Sequence, residues 1–256
     1  MDAITLDRVL GELRPLLEGR HLSRPRLVGP AAVAFEISPR RDLRLWLDAG
    51  RGTAGVYAVP RATVRRLENE RSTGRSRQAR LHLRKHLDGT RVASAERVPG
   101  ERTVRIQTSG GPLALRRSGP APALTLARDG EPLATLGDGP PAWPPAPPSP
   151  EKEWSRIDPA VVEGEVEEAR GRGRSLRRAV LAACPGLGPV LASDLDGSAS
   201  TFSALVERLH EPRPTLIAPG AVDSWHDADL AGPDADLLAP VSVERPGQVT
   251  LHPGSW

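Results

Sequence analysis

Apolar residues at helical spacing open the chain. One face of the predicted helix bears Leu6, Val9, Leu10, Leu13, Leu16 and Leu17, which follow the i, i+3, i+4, i+7 pattern of a buried stripe. This helix begins after Asp2 and ends before Gly19. We expect Pro15 to kink or shorten it, because proline lacks a backbone N–H and clashes with the preceding turn.

Short runs of alternating apolar and polar residues come next along the chain. They predict nine strands, at 26–28, 33–37, 43–48, 55–59, 91–97, 103–107, 113–116, 123–127 and 132–136. Between the fourth and fifth strands a second helix runs from Arg75 to Leu87 and closes at Gly89, since glycine readily takes the left-handed cap conformation. This order of elements predicts an α+β chain whose first part is a β-sandwich-like domain flanked by two helices.

Composition divides the chain into four stretches. Residues 1–139 form the sheet-rich domain, and residues 140–150 contain seven prolines and should be an extended connector. Residues 151–211 have helical periodicity, whereas 212–256 are rich in Pro, Asp and Gly and predict irregular structure. The chain contains no bilayer-length apolar run and no charged-then-apolar leader, so we expect a cytoplasmic protein without membrane contact.

The formal net charge of +3 conceals a dipolar chain. Residues 1–148 contain 25 Lys and Arg against 15 Asp and Glu, whereas residues 149–256 contain 10 against 17. The excess of cations in the first half favours an anionic partner, and nucleic acid is the leading candidate.

The densest basic segment runs from Arg61 to Arg105, with 13 basic and 5 acidic residues. In its helix, one face bears four basic residues: Arg77, Arg80, Arg84 and Lys85. Such a face suits a phosphate backbone, because each neutralised phosphate releases counterions. The alternative is an ordinary solvated helix face in a chain that is rich in arginine throughout.

A second candidate site lies within 175–195. There an apolar-faced helix is interrupted at 185–188, and another helix begins at Pro189. Gly186 and Gly188 permit close backbone approach, and the free amides that open a helix attract phosphate. The pattern predicts a helix-hairpin-helix, and the alternative is a plain helical turn.

Residues suited to covalent or metal chemistry are few. Cys184 is the single cysteine and follows two alanines, which is typical of a packed thiol. His82 and His86 share a helix face but have no third ligand nearby in sequence, so we predict no metal site. Neither a nucleophile elbow nor a phosphate-cradling glycine loop with lysine is present, and we predict no catalytic residue and no cofactor.

The run at 83–92 resembles a helix motif of the NFACT family, and the residues that fit are Leu83, Arg84, Lys85, Leu87, Gly89 and Val92. That family includes fibronectin-binding-protein-A-like bacterial proteins and ribosome-associated quality-control factors that act on stalled large subunits. Glu101–Arg102 stands where the family has an Asp–Arg pair that handles the tRNA acceptor end. The proline-rich segment around Trp143 and the hairpin at 175–195 also resemble the family.

The resemblance implies a first domain similar in fold to the N-terminal domain of formamidopyrimidine-DNA glycosylase, followed by a small helical helix-hairpin-helix domain. It also implies an RNA-binding factor, with tRNA and the large ribosomal subunit as partners, that acts on stalled ribosomes. In that role Arg84, Lys85 and Arg102 contact phosphates or the acceptor end. Glu101 orients Arg102 or a ribose hydroxyl, and Gly186 and Gly188 dock a backbone phosphate.

Three departures from the family pattern affect these expectations. Glu101 replaces the family's Asp, a Ser-Asn motif is lost at 115–122, and the family's coiled coil does not follow Trp256. We therefore expect RNA binding to persist. We expect template-free extension of the nascent chain to be lost, or to need a separate coiled-coil protein.

Two alternatives remain open. One is a nucleic-acid-processing enzyme like the formamidopyrimidine-type glycosylases, whose N-terminal Pro-Glu supplies an amine nucleophile and an acid. This chain begins Met1-Asp2-Ala3, which leaves Lys85 as the one lysine of the first domain. The other is a degenerate, non-catalytic nucleic-acid-binding relative, which the change at Glu101 and the lost motif favour.

Overall fold

The computed structural model describes residues 3–40, 42–51, 53–62, 64, 74–117, 121–145, 147–148, 153–184, 186–210, 215–217, 237–239 and 248–250. The chain divides into two compact units. We call Leu6–Pro147 the sheet unit, and Met1–Thr5 together with Pro148–Trp256 the helical unit.

In the part of the chain that the structure describes, the bounded elements of the sheet unit are nine strands, a helix at the start of the chain and a helix between the fourth and fifth strands. The helices are α1 (Ala3–Leu17), whose first residues belong to the helical unit, and α2 (Gly74–Leu87). The strands are β1 (His21–Leu27), β2 (Ala32–Ser38), β3 (Leu43–Asp48), β4 (Gly55–Pro60), β5 (Thr90–Arg97), β6 (Thr103–Thr108), β7 (Leu113–Arg116), β8 (Ala123–Arg128) and β9 (Glu131–Leu136). Eight of the nine strand predictions are confirmed to within one residue at each end.

The strands form one antiparallel sheet in the order β4-β3-β2-β1-β5-β6-β7-β8-β9. Two meanders join where β1 pairs with β5 through only His21↔Arg91 and Leu22↔Thr90. The far ends of the meanders approach each other, since Arg51 after β3 forms an ion pair of 3.6 Å with Asp138 after β9. The predicted sandwich is therefore a single sheet whose two halves come together.

α1 ends at Leu17, two residues past Pro15 and before Gly19 as predicted, and Leu17 is fully buried. One strand prediction needs correction. β1 starts at His21 rather than at residue 26. Its pairing with β2 shifts register between Ser23 and Arg26, and this bulge hid the strand's first half from the alternation pattern.

The main apolar core of the sheet unit lies on one face of the strands. Its largest fully buried side chains include Leu10, Leu22, Phe35, Leu45, Leu87 and Ile106. Strands β2 and β8 are buried on both faces, so their apolar runs are nearly continuous. α2 contributes Leu83 and Leu87 to the buried set and leaves its other side to solvent.

The start of the proline-rich segment packs on the sheet. The Ala142 N–H donates to the Thr125 hydroxyl at 2.8 Å, and the Arg116 guanidinium donates to the Pro140 carbonyl at 2.7 Å. Trp143 donates its indole N–H to the Gly130 carbonyl at 3.1 Å. These bonds keep residues 140–143 within the sheet unit.

The helical unit contains four helices and a small sheet among its described residues. Their bounds are α3 (Pro159–Gly171), α4 (Leu176–Ala183), α5 (Pro189–Ala192), α6 (Ala199–His210), β10 (Thr215–Ile217), β11 (Leu237–Ala239) and β12 (Gln248–Thr250). Val166, Val180, Leu191 and Phe202 pack in its core. The three short strands, in the order β11-β10-β12, fall in the stretch predicted to be irregular, most of which lies outside the described residues. Among the helices described, none has the length and apolar content that crossing a bilayer requires.

Candidate nucleic-acid interface

The basic face of α2 is exposed along the second half of the helix. Ala79, Leu83 and Leu87 are buried, which fixes the orientation of the helix. Arg80, Arg84 and Lys85 are therefore exposed. Gly89 ends the helix with a φ of +77°, as predicted, and its N–H donates to the Leu22 carbonyl at 2.8 Å. We call Arg80, Arg84 and Lys85 the basic face.

No carboxylate among the described residues forms an ion pair with this basic face. Elsewhere in the sheet unit, arginines do find such partners: Arg97 pairs with Asp7, and Arg105 with Glu96. The side chain of Arg77 lies outside the described residues, although its backbone belongs to α2. The basic face therefore presents three cations to solvent, next to Leu81, which is 57% exposed.

Two histidines and an arginine continue the surface toward β8. The rings of His82 and His86 stack with centroids 6.3 Å apart, and Arg128 Nη1 lies 2.8 Å from His86 Nδ1. Because a guanidinium has only donors, Nδ1 accepts this bond. Desolvation lowers the pKa of His86, and the nearby charges of Arg128, Lys85 and His82 lower it further.

Glu101 and Arg102 lie in the turn between β5 and β6. Arg97 holds this turn, since its Nη1 donates to the Glu101 carbonyl at 3.0 Å. Arg102 is partly buried, and its Nε is enclosed without a hydrogen-bond partner. An enclosed donor of this kind is costly unless something pairs with it.

The structure does not gather the predicted residues of the sheet unit into one cluster. Gly110, which follows the end of β6, lies against the end of α2. A Cβ on Gly110 would collide with the His86 carbonyl oxygen there. Arg102 precedes the start of β6, at Thr103. Five residue steps of about 3.3 Å put about 17 Å between these two ends of the strand. The basic face and the Arg102 turn are therefore two separate points of the surface.

Gly186 and Gly188 belong to the helical unit, and both are buried. The Gly186 carbonyl accepts a bond of 2.8 Å from the Ala3 N–H, and a Cβ on Gly186 would lie 3.3 Å from the Ala3 Cβ. At Gly186 the close backbone approach that we predicted is thus made within the protein. The second helix of the predicted hairpin, α5, has only four residues.

Cys184 lies in the core of the helical unit, where burial raises the pKa of its thiol to about 12. This environment matches a packed thiol rather than a nucleophile. In the described parts of the chain, no group of three or more His, Cys, Asp or Glu is placed to hold a metal ion.

The sequence did not point to two features near α2. Arg128 contacts His86 on α2 only through the fold, because 42 residues separate the two along the chain. A cavity of about 320 Å³ lies between α2 and β9, lined by residues that include Gln78, His82 and Thr135. Contacts between residues so distant along the chain have no signal in local periodicity.

The fold of this chain is similar to that of several solved structures. The fibrinogen-binding protein from Staphylococcus aureus matches with a TM-score of 0.60 and 15% identity, over 98% of this chain and 94% of that one. The N-terminal domain of the fibronectin-binding protein PavA from Streptococcus pneumoniae matches with 0.54 and 18%, over 94% of each chain. The N-terminal part of the fibronectin/fibrinogen-binding protein from Streptococcus suis matches with 0.52 and 16%, over 86% of this chain and 88% of that one. No protein-family model and no curated protein sequence matches the chain.

Proposed function

We propose that this protein binds RNA, and that it holds tRNA against the large ribosomal subunit as ribosome-associated quality-control factors do. The observation that supports this most is the basic face of α2, whose Arg80, Arg84 and Lys85 are exposed without an acidic partner among the described residues. The motif at 83–92 resembles the NFACT family, and the fold likeness to fibronectin-binding protein domains is compatible with it.

The basic face suits a phosphate backbone for two physical reasons. Among the described residues its cations have no carboxylate partner that a polyanion would have to displace, and each phosphate that they neutralise releases condensed counterions. Arg80 and Arg84 are one helical turn apart and extend along the same side of α2. Neighbouring Leu81 offers apolar surface to a base or a ribose.

The turn that holds Arg102 serves as a second point of contact in this proposal. At about 17 Å from the end of α2, it would meet a different part of a folded RNA than the basic face does. The enclosed Nε of Arg102 would gain a partner if a phosphate or base reached it. Gly186 and Gly188 would act through the shape of their turn, and a separate coiled-coil protein would bridge the factor to the rest of the subunit.

The test compares three proteins: the wild type, Arg80→Ala/Arg84→Ala/Lys85→Ala, and Arg156→Ala/Arg170→Ala/Arg174→Ala, whose positions lie outside the predicted hairpin at 175–195. The second triple variant removes the same charge from exposed positions of the helical unit. Fluorescence anisotropy measures binding to bulk tRNA and to duplex DNA of equal length. We expect tRNA preference in the wild type and the control, and its loss in the α2 variant.

Pelleting with large ribosomal subunits then tests the ribosomal part of the proposal. The wild type should sediment with the subunits, and the α2 variant should remain in the supernatant. Fibronectin and fibrinogen, after which the similar solved proteins are named, serve as a comparison arm in surface-immobilised binding. If the wild type and the α2 variant bound fibronectin or fibrinogen equally well and neither bound tRNA, the RNA proposal would be wrong.

The alternative is an enzyme of the formamidopyrimidine-type glycosylase class. Its amine nucleophile would be Lys85, but this side chain is exposed at the end of α2 rather than secluded in a site. Trapping with borohydride on abasic-site DNA would detect such chemistry as a covalent adduct that Lys85→Arg abolishes. We expect no adduct.

A further inference from the structure

The cavity between α2 and β9 lies within the sheet unit, on the helix that bears the basic face. Its volume is about 320 Å³, near the lower end of the range of about 300–1,000 Å³ that small-molecule sites occupy. This size suits one ring system with a small substituent and is too small for a folded segment of a partner protein. The residues that line the cavity include Gln78, Ala79 and His82 of α2 and Leu133, Ala134 and Thr135 of β9.

The lining combines apolar walls with a few polar groups. Ala79 and Leu133 supply apolar surface. Gln78 has an amide with a donor end and an acceptor end, and Thr135 has a hydroxyl that both donates and accepts. The Thr135 hydroxyl lies 3.2 Å from the Thr125 hydroxyl on the neighbouring strand. A nucleobase has apolar faces and an edge of donors and acceptors, so it matches both kinds of wall.

His82 gives the cavity an aromatic wall. Gln78, His82 and His86 follow one another at intervals of four residues, so they lie in one row along α2. Gln78 and His82 line the cavity, whereas His86 is not among the lining residues. The His82 and His86 rings are 11° from parallel, with centroids 6.3 Å apart. His86 therefore stacks on His82 from the side away from Gln78, and the cavity extends on the other side.

A fixed cation lies at the far end of this row. Arg128 Nη1 lies 2.8 Å from His86 Nδ1, and this bond holds the guanidinium beside the histidine pair. The Arg128 side chain is 54% exposed, and its Nε lies 3.5 Å from Asp129 Oδ2, in a side chain that is 90% exposed. An ion pair so open to solvent is weak, so a phosphate can share or displace it at little cost. Arginine is well suited to phosphate, because its donors match two phosphate oxygens at once.

The order of these parts is that of a nucleotide. His86 lies between His82 and Arg128, so about one ring separates the cavity from the cation. In a nucleotide the ribose likewise separates a flat base from a charged phosphate.

We propose that the cavity between α2 and β9 binds one unpaired nucleotide, whose base stacks on His82 and whose phosphate contacts Arg128. Gln78 and Thr135 meet the edge of the base. Proteins commonly hold single-stranded bases by stacking them on aromatic side chains, histidine among them. Two sources offer this chemistry: an unpaired nucleotide of an RNA, and a free nucleoside monophosphate. Only the RNA source rests on the function proposed above.

The experiment is a calorimetric titration with adenosine monophosphate and, separately, with adenosine. His82→Ala removes the stacking ring, and Arg128→Gln removes the cation from an exposed position. His21→Ala and Arg8→Gln are the matched controls, since both residues are exposed in the same unit and neither is among those that line the cavity. Thermal unfolding shows that each variant is folded.

We expect the wild type to bind the monophosphate roughly tenfold more tightly than adenosine, because only the monophosphate contacts Arg128. Arg128→Gln should remove this preference and leave the affinity for adenosine unchanged. His82→Ala should weaken both ligands about tenfold, since stacking of the base contributes to each. The two controls should bind as the wild type does.

An oligoadenylate of about six nucleotides and bulk tRNA then identify the source of the nucleotide. An RNA affinity that falls in His82→Ala but not in His21→Ala supports a nucleotide of the RNA as the occupant. Monophosphate binding that His82→Ala weakens supports the site even if no RNA binds, so failure of the proposed function is distinguishable from failure of this inference.

Two results would overturn the proposal. One is that the monophosphate does not bind and RNA affinity is the same in His82→Ala as in the wild type. The other is that the monophosphate binds but His82→Ala binds it as tightly as the wild type does, or adenosine binds the wild type equally well.

Discussion

Arg97 binds the carboxylate of Asp7 at two points, with Nε 2.9 Å from Oδ1 and Nη2 2.7 Å from Oδ2. This pair joins α1 to the end of β5. The same guanidinium donates to the carbonyls of Val98 and Glu101, at 3.3 and 3.0 Å. One nearly buried side chain therefore fixes both a helix and the turn that presents Arg102.

Arg97→Met should lower the free energy of unfolding by about 2–3 kcal/mol, because it removes charge-assisted bonds from an enclosed site. The comparison is Arg105→Met. Arg105 pairs with Glu96 where both side chains are about two-fifths exposed, and its loss should cost under ~1 kcal/mol. Urea unfolding of both variants measures the difference. Equal losses would show that the Arg97 contacts contribute no more than an ordinary surface pair.

Substitutions at Gly137 and Gly130 distinguish two costs of adding a side chain, which are backbone strain and steric clash. Both have positive φ, +91° and +85°, but a Cβ on Gly137 would lie 2.8 Å from the Pro122 carbonyl oxygen, whereas Gly130 has open space. Gly130→Ala should cost about 1 kcal/mol for its backbone alone. Gly137→Ala should cost about 3 kcal/mol, since the chain must also shift. Thermal and urea unfolding would contradict this packing if the two variants were equally stable.

Asp196 should make the helical unit sensitive to acid. The Thr201 hydroxyl and the Ser198 N–H donate to its carboxylate and lower its pKa from 3.8 to about 2. The unfolded chain then binds the proton more readily than the folded chain. The contribution of Asp196 to stability is therefore complete above pH 3.8 and disappears as the pH falls through about 2.

Urea unfolding of the wild type and of Asp196→Ala at several pH values from 6 to about 2 checks this sign. The stability difference should stay constant down to about pH 4 and then shrink. Thr201→Val, which removes one donor, should move the loss toward higher pH. A difference that is the same at every pH would contradict the bonding seen at Asp196.

Cys184 should resist thiol reagents in the native protein, because its thiol is buried and its pKa is raised to about 12. Ellman's reagent should label it only as fast as the chain unfolds, and at once in denaturant. Rapid stoichiometric labelling in native buffer would show that the thiol is accessible, and would remove the basis for calling it a packing residue.

Local periodicity predicted most of the sheet unit correctly. The strand predicted at 43–48 and the helix predicted from Arg75 to Leu87 agree with the elements that the structure contains. The pattern failed where the backbone departs from regularity, as at the bulge of Arg24, since an extra residue reverses the alternation.

The candidate site was predicted less completely than the fold. Spacing on one helix was enough to place Arg80 and Arg84 together, because helical geometry decides it. The separation of the basic face from the Arg102 turn needed the length of β6 and the approach of Gly110 to the end of α2. Sequence spacing has no information on this separation, since strand pairing is a property of the whole sheet.

The most direct test of RNA binding by the basic face is the salt dependence of tRNA affinity. It compares the wild type with Arg80→Ala/Arg84→Ala/Lys85→Ala from about 50 to 200 mM salt. If the three cations contact phosphates, the slope of log affinity against log salt should fall by about 2 to 3 in magnitude in the variant. An unchanged slope, with affinity equal to that of the wild type, would show that tRNA does not contact this face of α2.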